Sequence, residues 1–560
     1  MDSPLMPHLQ SLDYALLGAY MVLMAAIGSF FGWFIKDAAS YLKGGNTIPW
    51  AVAGISNFMS MFSTFVFVAY AGIAYEHGLV SIVVFWSTIP PCLFAARFVA
   101  ARWRRANLTT PVEYLERRFN LGVRQVFSWM GLLMRFLDNA VRLYASGIFL
   151  ATVTPLSLTE AIIASGIFIT LFTMIGGLWA VTVLDTIQFI VLMCASVILV
   201  PLSLAAAGGF AGIAAAAPTQ LEWLHGPKGV PGWLFAYYLL VMLKYNSNWA
   251  FIQRLYVVKD EPAARNVGYL SAALFFVSPA IFLLPPLAAR VILPELANPE
   301  QAYVAVCVHL LPVGMMGLMV ASMFSATMSS LNSEFNVMAA VLTKDFYQRF
   351  LKPQSSDRHL MWMARLATVG VGVAVTIGSL FVGNFGGAFE ANKLFASVFA
   401  VPLAIPLIFG LLWRRPSSLG ALLCAVGGSA IAGWLHFTNH LTWEVATPVV
   451  VVVCIALFVL PSLVGKRTAK RLEQTDRFFD QLERPLSTEE IPTLNPHFGT
   501  ALRRLFGLSF LISGGFFVAV SLFSLSATSG QLCLTAGLSC MAVGGVFLKK
   551  AKLPPRAAVA

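Results

Sequence analysis

The sequence predicts an all-α polytopic membrane protein with about fifteen transmembrane helices. Three observations carry that reading. The 560 residues are 58% hydrophobic and only 11% charged, with mean hydropathy +0.78, whereas a soluble domain carries about 25% charge. Apolar stretches near the ~20 residues that a spanning helix needs recur along the chain. Of its 37 Lys and Arg residues, thirty-one fall in every second loop between those stretches, two in the alternate loops and four within the stretches. Cytoplasmic loops keep Lys and Arg because carrying them across the bilayer during insertion is unfavourable. The partition therefore puts the N-terminus outside and the C-terminus inside a plasma (cytoplasmic) membrane.

In chain order the candidate spans are 12–34, 49–76, 79–101, 121–151, 156–177, 180–208, 232–254, 266–292, 303–343, 361–383, 388–413, 418–437, 446–465, 503–525 and 529–548. The first has acidic and polar residues before it and no small-residue cleavage site, so it reads as a retained helix. The stretch 303–343 exceeds one straight span, so part of it should bend or project. The longest polar stretch, 466–502, reads as a solvated cytoplasmic linker. Its Phe478, Phe479, Leu482 and Leu486 offer an alternative, packing against the membrane surface. The net charge of +12 does not indicate nucleic acid, because the cations flank membrane segments. The seven cysteines all sit in apolar stretches without a CxxC and read as small core residues. Asn107-Leu-Thr matches a glycosylation acceptor but falls on the inner side.

Two spans are interrupted. The second, "WAVAGISNFMSMFSTFVFVAYAGIAY", is polar and weakly helical at Ser60-Met-Phe-Ser63-Thr64. The seventh, "WLFAYYLLVMLKYNSNWAFIQR", is so at Lys244-Tyr-Asn-Ser-Asn248. They are five spans apart and so cross the membrane in opposite senses. Broken helices at matching positions of two inverted halves point to a transporter's binding site, because unwound backbone at mid-membrane is tolerated only where it is buried or lines a cavity. The competing reading is intact helices whose Ser and Thr bond back to the preceding turn.

The most polar span, "ASMFSATMSSLNSEFNVMAA", carries Ser322, Ser325, Thr327, Ser329, Ser330, Asn332 and Ser333. Hydroxyl and carbonyl oxygens without several carboxylates suit an alkali cation better than a divalent one; small-residue helix packing is the alternative. Asp185 is a carboxylate in a span and a functional candidate by default. It either neutralises a cation or pairs with Gln188 or a loop Arg near a helix end. Arg135, Asp138 and Arg142 share one helix face as a triad with one excess positive charge, either a structural ion pair or a contact for an anionic solute. Lys244 and Lys393 lie within spans as substrate or gating candidates, with Glu390 as a possible partner of Lys393. No HExxH, Walker loop or GxSxG elbow occurs, so no enzymatic reading emerges.

The stretches "SYLKGGNTIPW", "TTPVEYLERRFN", "GGLWAVTVLDTIQ", "FIQR", "MSSLNS...LTKDFY" and "GLLWRRPSSLGA", in that order from about residue 41 to 421, give the chain a resemblance to the sodium:solute symporter family, which includes sodium–sugar, sodium–proline and sodium–sialic acid transporters. The resemblance implies a LeuT-like five-plus-five inverted repeat. It divides the chain into an extra helix and first cytoplasmic loop (1–48), repeat one (49–208), an external loop (209–231), repeat two (232–415), two peripheral helices (416–465), a cytoplasmic linker (466–502), and two C-terminal helices with a basic tail (503–560). It implies a principal sodium site at the carbonyls of Met59, Phe62 and Ala326 and the hydroxyls of Ser329 and Ser330. A second site would fall on Asp185, Ser329, Asn332 and Ser333, where Asn332 departs from the family's serine.

Where the family's sugar transporters present polar contacts, this chain has Val66, Phe85, Val241, Phe275 and Lys393. Ser63 and Thr88 remain as polar groups, Lys244 stands at the position of an aromatic gate, and Tyr245 beside it completes the substrate candidates. A sugar there would leave hydroxyls unpaired at ~1–3 kcal/mol each. The expected function is sodium-coupled import of a small polar organic solute by alternating access, with a carboxylate-bearing solute favoured. The partners are sodium, the solute and the bilayer; no nucleic acid and no obligate protein partner is inferred. The alternatives are a sugar symporter with a rearranged pocket, a proton-coupled transporter using Asp185, and a sensor that keeps the transporter fold.

Overall fold

A computed structural model describes residues 9–32, 46–108, 110–175, 178–311, 314–438, 441–464, 469–491, 498–522 and 528–551. The described residues form helices, turns and irregular segments. Eight of the helices are long and apolar enough to cross a bilayer, or ten if each of two bent pairs makes one span. Gly176, Gly177, most of "SYLKGGNTIPW", Lys552 and Arg556 lie outside the described residues.

The first helix, α1 (Ser11–Gly32), packs along a later hydroxyl-rich helix. The second stretch is two helices, α2 (Trp50–Met61) and α3 (Val66–His77), which meet at 59°. α4 (Val80–Arg105) follows, then α5 (Leu121–Val153), whose first turn is capped by Asn120 accepting from the Val123 amide at 2.9 Å. The chain turns 120° into α6 (Leu158–Ile175), and α7 (Leu178–Ala206) returns. The seventh stretch is again two helices, α8 (Pro231–Asn246) and α9 (Trp249–Tyr256). α10 (Glu261–Ile292) has Asp260 as its N-cap, accepting from the Ala263 amide.

The stretch 303–343 is divided, as its length required. A short α11 (Ala302–Leu310) precedes α12 (Met315–Val341), which continues as a wider π-helical turn over Leu342–Leu351. Asp13 of α1 caps α12: one carboxylate oxygen accepts from the Gly314 and Gly317 amides at 2.8 and 2.7 Å. Two amides that an N-terminus leaves open are thereby satisfied. Gly317 permits this, since a Cβ there would fall 2.5 Å from the Asp13 backbone.

Beyond lie α13 (Asp357–Ser379), α14 (Ala388–Leu412), α15 (Ser418–Phe437), α16 (Trp443–Val464) and α17 (Ala469–Glu483). The last two helices, α18 (Phe498–Ser521) and α19 (Thr528–Lys550), form a hairpin so close that a Cβ on Gly514 would meet the Gly537 carbonyl at 2.6 Å. Such approach is how helices associate where lipid offers no hydrophobic contrast.

The solvated-linker expectation for 466–502 does not hold for α17. Phe478, Phe479 and Leu482 are buried, with Phe478 stacked on Tyr114 and Phe479 beneath the guanidinium groups of Arg118 and Arg414. Arg105 donates to the Leu482 and Glu483 carbonyls. The helix is amphipathic, and its apolar stripe covers the ends of the membrane helices rather than a lipid surface.

Candidate functional site

The break between α2 and α3 forms because its residues offer the backbone other partners. Phe62 is extended (φ −96°, ψ 132°). The Thr64 amide donates to the Thr327 hydroxyl of α12 at 2.9 Å, and the two threonine hydroxyls bond each other. Ser60 Oγ lies 2.7 Å from the Ser56 carbonyl and 3.1 Å from Ser333 Oγ. The break is therefore laid against the polar face of α12, where Ala326, Ser329, Ser330, Asn332 and Ser333 are all buried. Met59 and Phe62 are buried on the facing side. The Ser330 hydroxyl donates to the Thr327 carbonyl at 3.0 Å, and that of Ser329 donates to Asp185 Oδ1 at 2.5 Å.

Asp185 of α7 is enclosed by protein. It accepts from Ser56 as well as Ser329 and faces Arg254 of α9 at 3.7 Å. Arg254 is itself wholly buried. It donates from Nε to Ser56 Oγ at 3.1 Å, from Nη2 to Ser333 Oγ at 2.6 Å, and from Nη1 to Gln253 Oε1 at 2.8 Å. Asp185 thus pairs with a guanidinium from a second broken helix, not with Gln188. Asn332 turns toward α6, where the Thr173 hydroxyl donates to its Oδ1. Two of the four residues expected to form a second cation site therefore already engage Arg254.

The triad on α5 is part of a larger charged strip. Asp138 Oδ1 accepts from Lys244 at 2.7 Å and from Asn392 at 2.9 Å, while Oδ2 lies 3.0 Å from Arg142. Lys244 also donates to Asn392 Oδ1 at 3.0 Å. Arg142 Nη1 reaches the Ser60 carbonyl at 2.8 Å, which ties the strip to the break. Arg135 lies 3.5 Å from Glu334, which accepts from Asn248 at 2.7 Å. Asn248 also caps α9 by accepting from the Phe251 amide at 2.8 Å, so the second break falls at Ser247–Asn248. Three cations meet two carboxylates, which retains one excess positive charge. Buried ions of this kind survive only when paired and hydrogen-bonded.

Between the breaks lies a cavity of about 50 Å³, lined among others by Ser63, Val66, Phe85, Thr88, Val241, Lys244 and Tyr245. Arg142, Asn248, Asn392, Tyr70 and Tyr237 complete its polar wall, the two tyrosine hydroxyls bonding each other at 2.8 Å. The cavity has room for a few waters. Two expected lining residues are elsewhere. Phe275 packs behind the wall, 6.1 Å from Phe85 and 5.9 Å from Tyr245 between ring centres. Lys393 pairs with Glu390 at 2.5 Å and lies over the Trp443 ring at 4.9 Å, so its neighbour Asn392 faces the cavity instead.

Asn248 is placed by the sequence in the second interruption, whereas Arg254, Glu334, Asn392 and Ser56 are site residues not singled out from the sequence. Two of them carried a signal. Glu334 is a carboxylate within a span, which is a functional candidate on that ground alone, and Arg254 is the only charged residue of the quoted "FIQR".

The family model of the sodium:solute symporter family matches residues 41–428. Among curated proteins, the sodium/glucose cotransporter of Vibrio parahaemolyticus is 24% identical over 77% of this chain and 86% of its own length. The sodium/sialic acid symporter of Aliivibrio fischeri is 25% identical over 77% and 89%. A solved sodium-coupled sialic acid symporter in a substrate-bound outward-open state superposes with a TM-score of 0.72, at 21% identity, over 82% of this chain and 98% of its own. The fold is thus of the LeuT-like class.

Proposed function

The chain belongs to the sodium:solute symporter family, and from that premise we propose that it imports a carboxylate-bearing polar organic solute by alternating access, driven by inward sodium. Sodium is the coupling ion, and the protein is an integral membrane transporter. Its named relatives are cotransporters and symporters. The finer reading is ours: which residues hold the ion, what the solute carries, how the repeats divide, and the orientation with the N-terminus outside.

One observation carries the ion site. The unwound residues Phe62–Thr64 lie against the hydroxyl face of α12, joined by the bond from the Thr64 amide to Thr327. That contact supports a sodium ion held by the carbonyls of Met59, Phe62 and Ala326 and the hydroxyls of Ser329 and Ser330. These are hard, neutral donors suited to a monovalent cation. The ion would bridge the broken helix to α12, so its departure would loosen that contact.

We assign Asp185, Ser329, Asn332 and Ser333 a different role from a second sodium site in this conformation. Arg254 stands 3.7 Å from Asp185 and 2.6 Å from Ser333 Oγ, and it supplies the positive charge a second ion would supply. One sodium per cycle is the stoichiometry this arrangement supports.

The cavity supports a solute with both a carboxylate and hydrogen-bonding groups. Arg142 and Lys244 share the single carboxylate of Asp138, leaving one cationic charge for an anion. Ser63, Thr88, Asn248, Asn392 and Tyr237 offer more hydrogen-bonding groups than the sequence reading counted. The two breaks, standing in α2–α3 and α8–α9, support the division into repeats 49–208 and 232–415.

Uptake by proteoliposomes of radiolabelled sugars, sugar acids, carboxylates and amino acids, with and without an inward sodium gradient, tests the reading. Sodium-driven uptake of an acid, competed by other carboxylates and not by glucose, is the expected result. Sodium-driven glucose uptake that ignores carboxylates would replace the solute assignment.

A further inference from the structure

Apart from the transport cavity, the molecule holds a second pocket of about 210 Å³ at the end of α15 and α16, closed on one side by α17. Three arginines line it: Arg118, Arg414 and Arg471. Among the described residues no carboxylate lines it. Arg118 is buried and donates from Nη2 to the carbonyls of Trp413, Arg414 and Pro416 at 3.2, 2.9 and 3.3 Å. Arg471 donates to Ser418 Oγ at 2.5 Å and makes no ion pair among the described residues. Arg414 is shared with Asp476, Asp480 and Glu483, which are all at least half exposed on the outer side of α17. The hydroxyls of Ser417, Ser418, Ser462 and Thr475 complete the wall.

An apolar groove of about 420 Å³ adjoins it, lined by Ile405, Phe409, Leu412, Trp413, Ile455 and Phe458, with Val459. Leu412 and Trp413 of the groove run directly into Arg414 and Pro416 of the basic pocket. Likewise Phe458 and Val459 run into Pro461 and Ser462. The rim carries exposed apolar side chains: Leu419 at 58%, Leu463 at 56% and Val464 at 84%. A basic, hydroxyl-lined pocket thus opens beside a lipid-facing groove.

We propose that this composite site binds an anionic phospholipid, with its phosphate among Arg118, Arg414 and Arg471 and one acyl chain along the α14–α16 groove. Guanidinium groups match phosphate oxygens two at a time. Basic pockets between membrane helices on the cytoplasmic side recruit anionic head groups, and this face carries the excess of Lys and Arg. A free phosphate shares the head-group chemistry but has no use for the groove; the groove decides for the lipid. The bound lipid joins α17, through Arg471, to the α15–α16 hairpin, and so stabilises the cytoplasmic clasp.

The test uses the purified full-length protein in detergent, with lipid retention read by native mass spectrometry and stability by thermal unfolding. Phosphatidylglycerol, phosphatidylcholine and glycerol phosphate are the three probes. Phosphatidylglycerol is expected to remain as a single adduct and to raise the melting temperature, and phosphatidylcholine to do neither. Arg471→Ala should weaken retention at least fivefold, Arg471→Lys less, and Val459→Trp, which fills the groove, should weaken lipid retention too. Arg477→Ala, at a side chain 79% exposed and paired with Glu473, should match wild type. Equal retention of phosphatidylcholine, or wild-type retention in both Arg471→Ala and Val459→Trp, overturns the proposal. Glycerol phosphate binding as tightly as the lipid overturns it as well, since the groove would then contribute nothing.

Discussion

At the scale of single residues, charge pairing in a dry interior sets what each side chain does. Ser329 and Ser330 each offer one oxygen to the proposed ion. Charge-assisted contacts are worth ~1.5–3 kcal/mol, so Ser329→Ala and Ser330→Ala should each raise the sodium concentration for half-maximal uptake by about tenfold or more. Sodium titration of uptake checks this, and unchanged dependence in both variants would remove them from the site. Asp185 accepts from Ser56 and Ser329 and faces Arg254, so removing its charge leaves a buried guanidinium without its counter-ion. Asp185→Asn is expected to lower transport more than it lowers the yield of monodisperse protein in gel filtration. Loss of both together would show that the pair is structural. Lys244 supplies one of two cations to Asp138. Lys244→Met should reduce binding of an acidic solute by at least tenfold in calorimetry while leaving sodium binding in place. Binding unchanged by the substitution would turn Lys244 into a structural partner of Asp138.

At the scale of elements, the broken helices and the capped ones answer the same backbone demand differently. The break in α2–α3 persists because Thr327 serves the Thr64 amide and hydroxyl. Thr327→Val removes that partner at a cost of ~1–3 kcal/mol. This isosteric change should impair uptake at saturating sodium, while Thr327→Ser, which keeps the hydroxyl, should retain it. Full activity in the valine variant would mean that the break holds itself open. α12 depends on a cap from outside its own sequence. Asp13→Ala strips the acceptor from the Gly314 and Gly317 amides and should cost about 1–2 kcal/mol, read as a lower melting temperature with sodium dependence unchanged.

At the scale of the whole molecule, the charge partition and the docked α17 describe one face. Arg105, Arg118 and Arg414 are bound by α17 or its flanks, so loops from distant parts of the chain are tied together on the cation-rich side. If that side is cytoplasmic, a cysteine at Ser3 should react with an impermeant thiol reagent in intact cells and one at Ala558 should not. Both positions lie outside the described residues, at opposite ends of the chain. The reverse pattern of labelling would invert the topology and with it the direction assigned to the sodium gradient.

What the sequence determined by itself was whatever depends on composition and local order. Hydropathy marked the stretches on which the helices fall. The polar centres Ser60–Thr64 and Lys244–Asn248 marked both interruptions, because their side chains give the backbone partners other than the helix; the hydroxyl-rich α12, of similar composition, stays helical. The hydroxyl pattern of 322–333 marked the face that meets the first break. The tertiary structure alone decided pairing, because ion pairs are made across space. The Lys393–Glu390 pair, three positions apart, was legible from the sequence, but nothing local told that Asp185 would meet Arg254 sixty-nine positions on, that Glu334 would take Arg135, or that Asn392 would be the residue left at the cavity. The same holds for α17, whose charged, amphipathic sequence fits a solvated helix as well as a docked one. Only the tyrosine, arginines and carbonyls waiting on the cation-rich loops settle that its phenylalanines are buried.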